Sequence, residues 1–420
     1  MSAKRAGALL LAERSLAQHK LSSLVAALSL ALAGGLVIAL FSIERQSRAA
    51  FTSGASSFDA VLSARGSPLQ IVLSSVFHLE TSPGNLPWSW VERFEKDPQV
   101  AFVVPYALGD SYRGLRIVGT QSKLFDAAQA GESAIALSAG RAFADDLREV
   151  VAGSYAAARA GLSIGSRLHP THGVAEGGQH EHDEEYVVVG IAAPTNTPDD
   201  RVLWIPIEGV FRMGGHVLRG AGEEYHPTPE AEIPMEAREF SALMIRLRGL
   251  QRGLELDVEI NREGKEATLA FPIARVMAEL FYKLGWMHRV LRLAAYLCVA
   301  VGTASILSSL HATLNERRRE FAILRALGAR RRTLFAVVVL ESTLIATAGA
   351  ALALVVQFAI VLAAGQVVRR ETGVVIEALA FHPALVVVPL AMILLGALAG
   401  LWPAWRAGRT EVAENLAPAS

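Results

Sequence analysis

The chain has 420 residues, of which 52% are hydrophobic and only 19% are charged, and its mean hydropathy is +0.35. Soluble domains usually carry about 25% charged residues, so this composition disfavours a soluble enzyme and excludes disordered and collagen-like chains. The net charge is zero, but residues 45–288 hold 23 Lys or Arg and 31 Asp or Glu, a balance of −8, and the remainder carries +8. An acidic middle between basic, apolar ends indicates two environments and offers no basic stripe for nucleic acid.

Four apolar segments are long enough to cross a membrane as helices, because about 20 helical residues span roughly 30 Å of hydrocarbon. Glu341 is the one acidic residue within them. The first segment is longer than the apolar part of a signal peptide and lacks a clear cleavage site, so we interpret it as a retained anchor. The four segments are residues 21–43, 293–315, 333–364 and 383–405.

The distribution of Lys and Arg predicts the orientation, because short cytoplasmic flanks are enriched in these residues. Residues 1–20 contain four of them and residues 316–332 contain seven. The link between the third and fourth segments has two, which are offset by Glu371 and Glu377. We therefore expect a multi-pass membrane protein with both termini in the cytoplasm and residues 45–288 outside.

Residues 45–288 combine strand and helix patterns. We divide the chain into 1–44, 45–288 and 289–420, and we predict an α/β layer in the middle part, split in sequence by a β-rich module at about 120–216. Predicted helices are 88–96, 133–147 and a helix that begins near 273 and continues into the second span. Predicted strands are 58–64, 69–79, 100–106, 115–119, 186–191, 202–207 and 241–247.

The most informative stretch is residues 316–332, ERRREFAILRALGARRR, which lies between the second and third spans. Its apolar residues Phe321, Ile323, Leu324 and Leu327 recur at helical spacing, and Gly328 is placed to end the helix. The pattern also fits an amphipathic helix that lies at the membrane interface, with its arginines explained by the enrichment of basic residues on the cytoplasmic side. This alternative stays open.

This stretch, continued to Glu341, resembles the signature of the MacB/FtsX-type ABC transporter permeases, a family that includes LolC and LolE. The tail GLWPAWRAGRTEVAENL is similar to the family's C-terminal ending, with departures at Gly408, Val412 and Asn415. The order of one span, a large external domain and three further spans is also that of the family. Matching residues of the signature are Glu316, Arg317, Glu320, Ile323, Arg325, Ala326, Leu327, Gly328 and Glu341.

The resemblance implies a membrane α-helical fold with four transmembrane helices and a large α+β extracytoplasmic domain, made of a porter-like α/β layer and an inserted small β-barrel. It implies that the segment after the second span is a coupling helix that docks on a cytoplasmic ATPase. It also favours an interhelical or coupling-helix contact for Glu341 over a proton relay. The implied coupling residues are Glu316, Arg317, Glu320, Phe321, Leu324, Arg325, Ala326, Leu327 and Gly328.

The resemblance also implies partners and a mode of action. ATP and Mg²⁺ would bind a separate ATPase subunit, since this chain has no G-x-x-x-x-G-K-[ST] motif and therefore no P-loop of its own. We thus expect no catalytic residues here. A second permease copy, identical or related, and a periplasmic or lipoprotein partner are expected, with motion of the external domains serving export, lipoprotein or lipid handling, or mechanotransmission.

A histidine-rich stretch, HPTHGVAEGGQHEHDEEY, covers residues 169–186. Imidazole and carboxylate groups suit Zn²⁺, so three interpretations stay open, in this order: an incidental solvated loop, a transient metal contact and a tight structural zinc site. A membrane-anchored protein that binds or senses divalent metal, with zinc-linked transport as one form, is the alternative function. The glycines of the loop disfavour the rigid ligand set of a metalloenzyme. Candidate ligands are His169, His172, His180, His182 and Asp183.

Overall fold

The structure is a computed structural model that describes residues 3–53, 58–126, 135–173, 182–213, 233–235 and 238–408. The chain divides into two compact units. The helical unit consists of Met1–Gln46, Gly285–Val367 and Ile376–Ser420. The sheet unit consists of Ser47–Leu284 and Val368–Val375, so the link between the third and fourth spans contributes to it.

The described helices include four that are long and apolar enough to cross a membrane, which confirms the four predicted spans. The helices are α1 (Ala3–Gln18), α2 (Lys20–Ser53), α3 (Pro68–Ser75), α4 (Ser89–Glu95), α5 (Ser154–Ala160), α6 (Ile207–Arg212), α7 (Leu250–Asp257), α8 (Ile273–Glu316), α9 (Arg318–Ala326), α10 (Arg331–Thr372) and α11 (Ala384–Gly408). The spans lie in α2, α8, α10 and α11.

Small residues let the spans of the helical unit approach closely. A Cβ at Gly349 of α10 would lie 3.1 Å from the backbone oxygen of Ala27 and 3.2 Å from the side chain of Leu30, both on α2. Close backbone approach of this kind is how transmembrane helices gain packing energy, because lipid supplies no hydrophobic drive for association. Leu30 packs in a buried cluster with Ile306 of α8 and Met392 of α11, so all four spans share one core.

The sheet unit is built on one hydrogen-bonded sheet of eleven strands. Its main path runs β13-β1-β12-β3-β4-β10-β6-β9-β5, with β7 paired to β9 and β8 paired to β3. Two further strands, β2 and β11, pair with each other. The strands are β1 (Ala60–Ala64), β2 (Leu86–Pro87), β3 (Val100–Tyr112), β4 (Leu115–Thr120), β5 (Leu137–Gly140), β6 (Glu149–Ala152), β7 (Arg167–Leu168), β8 (Thr171–His172), β9 (Tyr186–Ala192), β10 (Leu203–Pro206), β11 (Glu239–Phe240), β12 (Ala242–Leu247) and β13 (Ala267–Ala270).

Around β1 the sheet is buried on both faces, so β1 has no exposed residue. Successive residues of a strand point to opposite faces, so Leu62 joins one buried cluster and Val61 the other. Helices α4 and α7 cover the first face with Phe94 and Leu256, and α3 covers the second with Ile71. The result is the α/β layer that the sequence predicts.

The predicted β-rich module at about 120–216 contributes its strands to this same sheet. The strands β7 and β8 are separated by two residues, and they pair with β9 and β3, respectively. Because β7 and β8 are adjacent in sequence, these two pairings connect β9 back to β3. A small barrel that is closed and separate stays a prediction.

Two predicted elements are wrong. Residues 69–79 were expected to form a strand, but Pro68–Ser75 is the helix α3. Pro68 occupies the first turn of this helix after the extended residue Ser67, and proline favours that position because its missing N–H has no helical partner there. Residues 133–147 were expected to be helical, but Leu137–Gly140 is the strand β5. Pairing with β9 overrides the helix propensity of this alanine-rich stretch, and Gly140 adopts a φ of +77°.

Candidate functional site

The helix between the second and third spans, α9, has defined ends. It is separated from α8 by the single residue Arg317 and ends at Ala326. Gly328 has a φ of +95°, its N–H donates to the carbonyl of Arg325, and the N–H of Ala329 donates to the carbonyl of Leu324. This is the Schellman arrangement, in which a left-handed glycine satisfies the last helical carbonyls. The predicted role of Gly328 as a helix stop is confirmed.

One side of α9, which we term the inner stripe, consists of Arg317, Phe321 and Leu324 at positions i, i+4 and i+7. Phe321 is 2% exposed and packs in a cluster with Leu334 and Val338 of α10 and Ala404 of α11, and Leu324 packs against the same cluster. The inner stripe therefore fixes α9 to the third and fourth spans within the helical unit.

A buried polar cluster holds the start of α9. Arg317, Glu341 and Ser15 are all at most 6% exposed. The hydroxyl of Ser15 donates to Oε1 of Glu341 at 2.8 Å, and Nη1 of Arg317 donates to the same hydroxyl. Nε of Arg317 donates to Glu320 at 2.8 Å, and its guanidinium lies 5.0 Å from the Phe321 ring. The cluster joins α1, the break between α8 and α9, and α10.

A neighbouring, more exposed side, which we term the outer stripe, consists of Glu320 and Ile323 of α9 and of Leu327, which directly follows the helix. Ile323 is 43% exposed and Leu327 is 80% exposed, and the Glu320 side chain is 47% exposed. Of the remaining residues implied by the resemblance, Glu316 and Ala326 are exposed and Arg325 is half-buried. The implied coupling residues therefore divide between a stripe that holds the helix and a stripe that faces away from the bundle.

In the sheet unit, Asp110, His172 and His182 form a cluster whose potential ligand atoms all lie within 4.8 Å of one another. Nδ1 of His172 lies 3.2 Å from Oδ1 of Asp110, and Nε2 of His182 lies 3.6 Å from the same oxygen. The two imidazole rings are 6.0 Å apart and nearly perpendicular. Asp110 and His182 are buried, whereas the His172 side chain is 53% exposed.

The other candidate ligands lie elsewhere. Nε2 of His169 faces Glu185 at 3.9 Å, and Glu185 also pairs with Arg167. Asp183 is exposed and belongs to no group of three potential ligands among the described residues. His180 lies outside the described residues.

Asp110 determines the electrostatics of the cluster. Its hydrogen bond with His172 raises the pKa of that imidazole above the ordinary value, and interaction with the same carboxylate raises the pKa of His182. A buried carboxylate is unfavourable without compensating positive charge, so the cluster is a place where either protons or a cation are stabilised.

The sequence analysis missed two residues of these clusters. Asp110 lies 62 residues before His172 and no local motif marks it, because its contact with His172 arises from the pairing of β3 with β8. Ser15 lies 326 residues from Glu341 and is likewise brought there by helix packing. A prediction of strand and helix pairing would have been needed to find either one.

Comparison with known proteins agrees with this architecture. The family profile described as "MacB-like periplasmic core domain" matches residues 23–248, which are 226 of the 420 residues. The profile described as "FtsX-like permease C-terminal" matches residues 292–412, the region that contains the C-terminal part of α8 and all of α9, α10 and α11. The two matches together cover most of the sheet unit and the four spans, and α7 and β13 lie between them.

Similar solved structures include the extracellular domain of the noncanonic ABC-type transporter YknZ from Gram-positive bacteria, which is 13% identical, has a TM-score of 0.29, and covers 50% of this chain and 99% of that chain. No curated protein matches the chain. On the two profile matches, of which the first spans more than half of the sequence, the chain belongs to the MacB/FtsX-type ABC transporter permease family.

Proposed function

We propose that the chain couples ATP hydrolysis by a separate ATPase subunit to movement of its extracytoplasmic domain. The family assignment makes it a transmembrane permease component, and the sequence contains no P-loop that would bind ATP in this chain. ATP and Mg²⁺ therefore belong to the partner in this proposal. Export, lipoprotein or lipid handling, and mechanotransmission are the forms of work that the family resemblance suggests.

The observation that carries the proposal is the two-sided construction of α9. Its inner stripe is packed on α10 and α11, and Arg317 is held by Ser15 and Glu341. Its outer stripe presents Ile323 and Leu327 away from that core. A short rigid helix with exposed apolar residues and a fixed base suits transmission of force from a docked partner, because a load on the outer stripe passes directly to the spans.

The proposed orientation places α9 and both termini in the cytoplasm and residues 45–288 outside the inner membrane. The Lys and Arg distribution supports it. Single cysteines replacing the exposed residues Ala158 and Arg319, in a Cys298→Ser background, should react with a membrane-impermeant maleimide from opposite sides. Labelling of both from one side would contradict the orientation.

We place two permease copies in the complex, identical or related. The most apolar stretch of the second span, in α8, is only 17% buried within one chain, and it exposes Tyr296, Leu297 and Val301. In this proposal, lipid and the second permease copy cover this exposed apolar surface. A periplasmic or lipoprotein partner is a further expectation from the family.

The decisive experiment changes the outer stripe alone. We expect Leu327→Asp to weaken binding of the ATPase roughly tenfold or more, because it places a charge where an apolar contact is buried. Leu379→Asp is the matched control, since Leu379 is 82% exposed and lies in the link between α10 and α11. Co-purification and ATPase activity of the reconstituted complex are measured beside the thermal stability of each variant.

The control variant should assemble and turn over like the wild type. If Leu327→Asp also assembled and turned over normally, α9 would be an interfacial helix and the coupling proposal would fail. The alternative function of a membrane-anchored metal sensor without an ATPase does not explain the permease family match, although a metal site is compatible with a permease.

A further inference from the structure

We propose that Asp110, His172 and His182 bind a divalent transition metal, with Zn²⁺ preferred, on the sheet unit. The inference concerns a binding site in the extracytoplasmic domain and does not depend on how α9 engages an ATPase. It rests on the geometry of three side chains from three separate stretches of backbone.

The first two ligands are fixed by strand pairing. Asp110 on β3 is directly opposite His172 on β8 in the antiparallel register. The Thr171 hydroxyl donates to the carbonyl of Ser111 at 2.8 Å, and the N–H of Gly173 donates to the carbonyl of Gly109 at 3.0 Å. Bonds on both sides of the pair leave little backbone freedom, so the carboxylate and the imidazole are positioned before any metal arrives.

The third ligand approaches from a different stretch of chain. The backbone N–H of His182 donates to the carbonyl of Pro170 at 2.9 Å, which holds this residue beside the start of β8. Its side chain is 7% exposed and directs Nε2 towards the same Oδ1 atom that His172 approaches. The two imidazoles therefore converge on one carboxylate oxygen from nearly perpendicular planes.

The spacing of the ligand atoms fits a tetrahedral zinc ion. With zinc bonds of about 2.0–2.2 Å to nitrogen and oxygen, neighbouring ligand atoms in a tetrahedron lie about 3.3–3.6 Å apart. The distances from Oδ1 of Asp110 are 3.2 Å to His172 and 3.6 Å to His182. The third separation, between the imidazole nitrogens, is at most 4.8 Å and closes with small side-chain rotations.

The donor set identifies the class of ion. Two imidazole nitrogens and one carboxylate oxygen match zinc and other borderline metals, whereas Mg²⁺ and Ca²⁺ take oxygen ligands. Three protein ligands leave the fourth position to water or to an exogenous ligand. The exposed side chain of His172 opens the cluster to solvent, so the ion is exchangeable rather than sealed in the domain.

A bound ion would also compensate the buried charge. Asp110 is 4% exposed, and a carboxylate removed from water is strongly disfavoured unless positive charge accompanies it. The ion would connect β3 with the residues on either side of segment 174–181. Metal occupancy would thus brace one region of the extracytoplasmic domain.

The test uses the purified full-length chain in detergent, with an affinity tag that contains no histidine, and Zn²⁺ alone as the probe. Competition with a chromophoric chelator gives the affinity. We expect one ion per chain and a loss of more than about tenfold in affinity for Asp110→Asn and for His172→Ala, since even loss of an outer-sphere partner weakens zinc sites 10–100-fold. Excess Mg²⁺ should not compete, and Co²⁺ should give the absorption of a tetrahedral complex.

The matched control is His169→Ala, which removes an imidazole from the same stretch of sequence but outside the cluster. It should bind like the wild type. Circular dichroism confirms folding of each variant, and His172→Ala is informative even if Asp110→Asn misfolds, because the His172 side chain is largely exposed. Absence of zinc binding by the wild type, or equal affinity of His172→Ala and His169→Ala, would show that the cluster is an ion pair only and overturn the proposal.

Discussion

Nη1 of Arg317 lies 3.7 Å from Oε2 of Glu341, and both side chains are almost completely buried. Arg317 occupies the break between α8 and α9, and Glu341 lies one-quarter of the way along α10. The pair therefore ties the base of α9 to the third span. Ser15 completes the arrangement by hydrogen bonding to both partners, which brings α1 into the same joint.

Removing one member of this pair should destabilise the helical unit. We expect Arg317→Met to lower the free energy of unfolding by about 3–5 kcal/mol, because the carboxylate of Glu341 would then be buried without its partner. Thermal unfolding of the purified chain in detergent measures the change. The double variant Arg317→Met with Glu341→Gln should lose less, because it leaves no uncompensated charge.

Arg319→Met is the control for that series, since Arg319 is exposed and belongs to the same helix as the residues of the outer stripe. We expect its stability to match that of the wild type within about 0.5 kcal/mol. If the single variant Arg317→Met were as stable as Arg319→Met, the buried pair would not be what holds α9.

The stability of the sheet unit should depend on pH through Glu149, the first residue of β6. Arg141 donates two hydrogen bonds to its carboxylate, and the N–H of Ala144 donates a third at 3.0 Å. The hydrogen bonds from Arg141, with that from Ala144, hold the pKa of Glu149 below its ordinary value. A lowered pKa in the folded state stabilises the fold above the ordinary pKa of about 4.3, and this contribution is lost as the pH falls through the lower, folded-state value.

Glu149→Gln should therefore unfold more easily than the wild type at pH 7, by about 1.5–3 kcal/mol, and the difference should shrink below about pH 4. Unfolding midpoints across a pH series measure it. Glu95→Gln is the control, because Glu95 pairs with Lys123 at the surface, where such pairs contribute at most about 1 kcal/mol. A difference that stayed constant from pH 7 to pH 3 would mean that the Glu149 charge is not responsible.

The link between α10 and α11 should be sensitive to a methyl group at Gly373. This residue has a φ of +78°, and a Cβ there would lie 2.7 Å from Cγ of Arg201. Gly161, which follows α5, has a φ of +67° but nothing within 4 Å of its Cβ position. Both substitutions to alanine incur the left-handed backbone strain of roughly 1–2 kcal/mol, and Gly373→Ala must also displace Arg201.

We thus expect Gly373→Ala to lower the thermal midpoint of the sheet unit more than Gly161→Ala does. The N–H of Val375 donates to Oδ1 of Asn196 at 2.6 Å, so the same link is also held by a hydrogen bond within the sheet unit. Equal midpoints for the two alanine variants would indicate that Arg201 moves aside freely.

The spans, α9 and its glycine stop could be predicted because their signals are local. Hydropathy over 20 residues identifies a span, and the spacing of Phe321 and Leu324 identifies the packed side of a helix. The outer position of Leu327 could not be predicted, since its apolar side chain gave the same pattern as Phe321. The difference in burial arises because α10 and α11 pack on Phe321, whereas Leu327 is exposed.

The cluster of Asp110, His172 and His182 shows the same limit. The histidines are evident in the sequence, but which of them converge depends on strand pairing that local patterns do not encode. His169 and His172 are only three residues apart, yet His169 faces Glu185 whereas His172 contacts Asp110. The prediction of a strand at residues 69–79 failed for the opposite reason, because the apolar pattern outweighed a local proline signal at Pro68.

The two ends of segment 174–181 are pinned, at Gly173 by the carbonyl of Gly109 and at His182 by the carbonyl of Pro170. Since each doubling of the number of residues between two anchors adds only about 0.6 kcal/mol of closure entropy, insertions here should leave the pairing of β8 with β3 unchanged. The same position would accept an epitope or a fluorescent reporter in imaging studies of living cells.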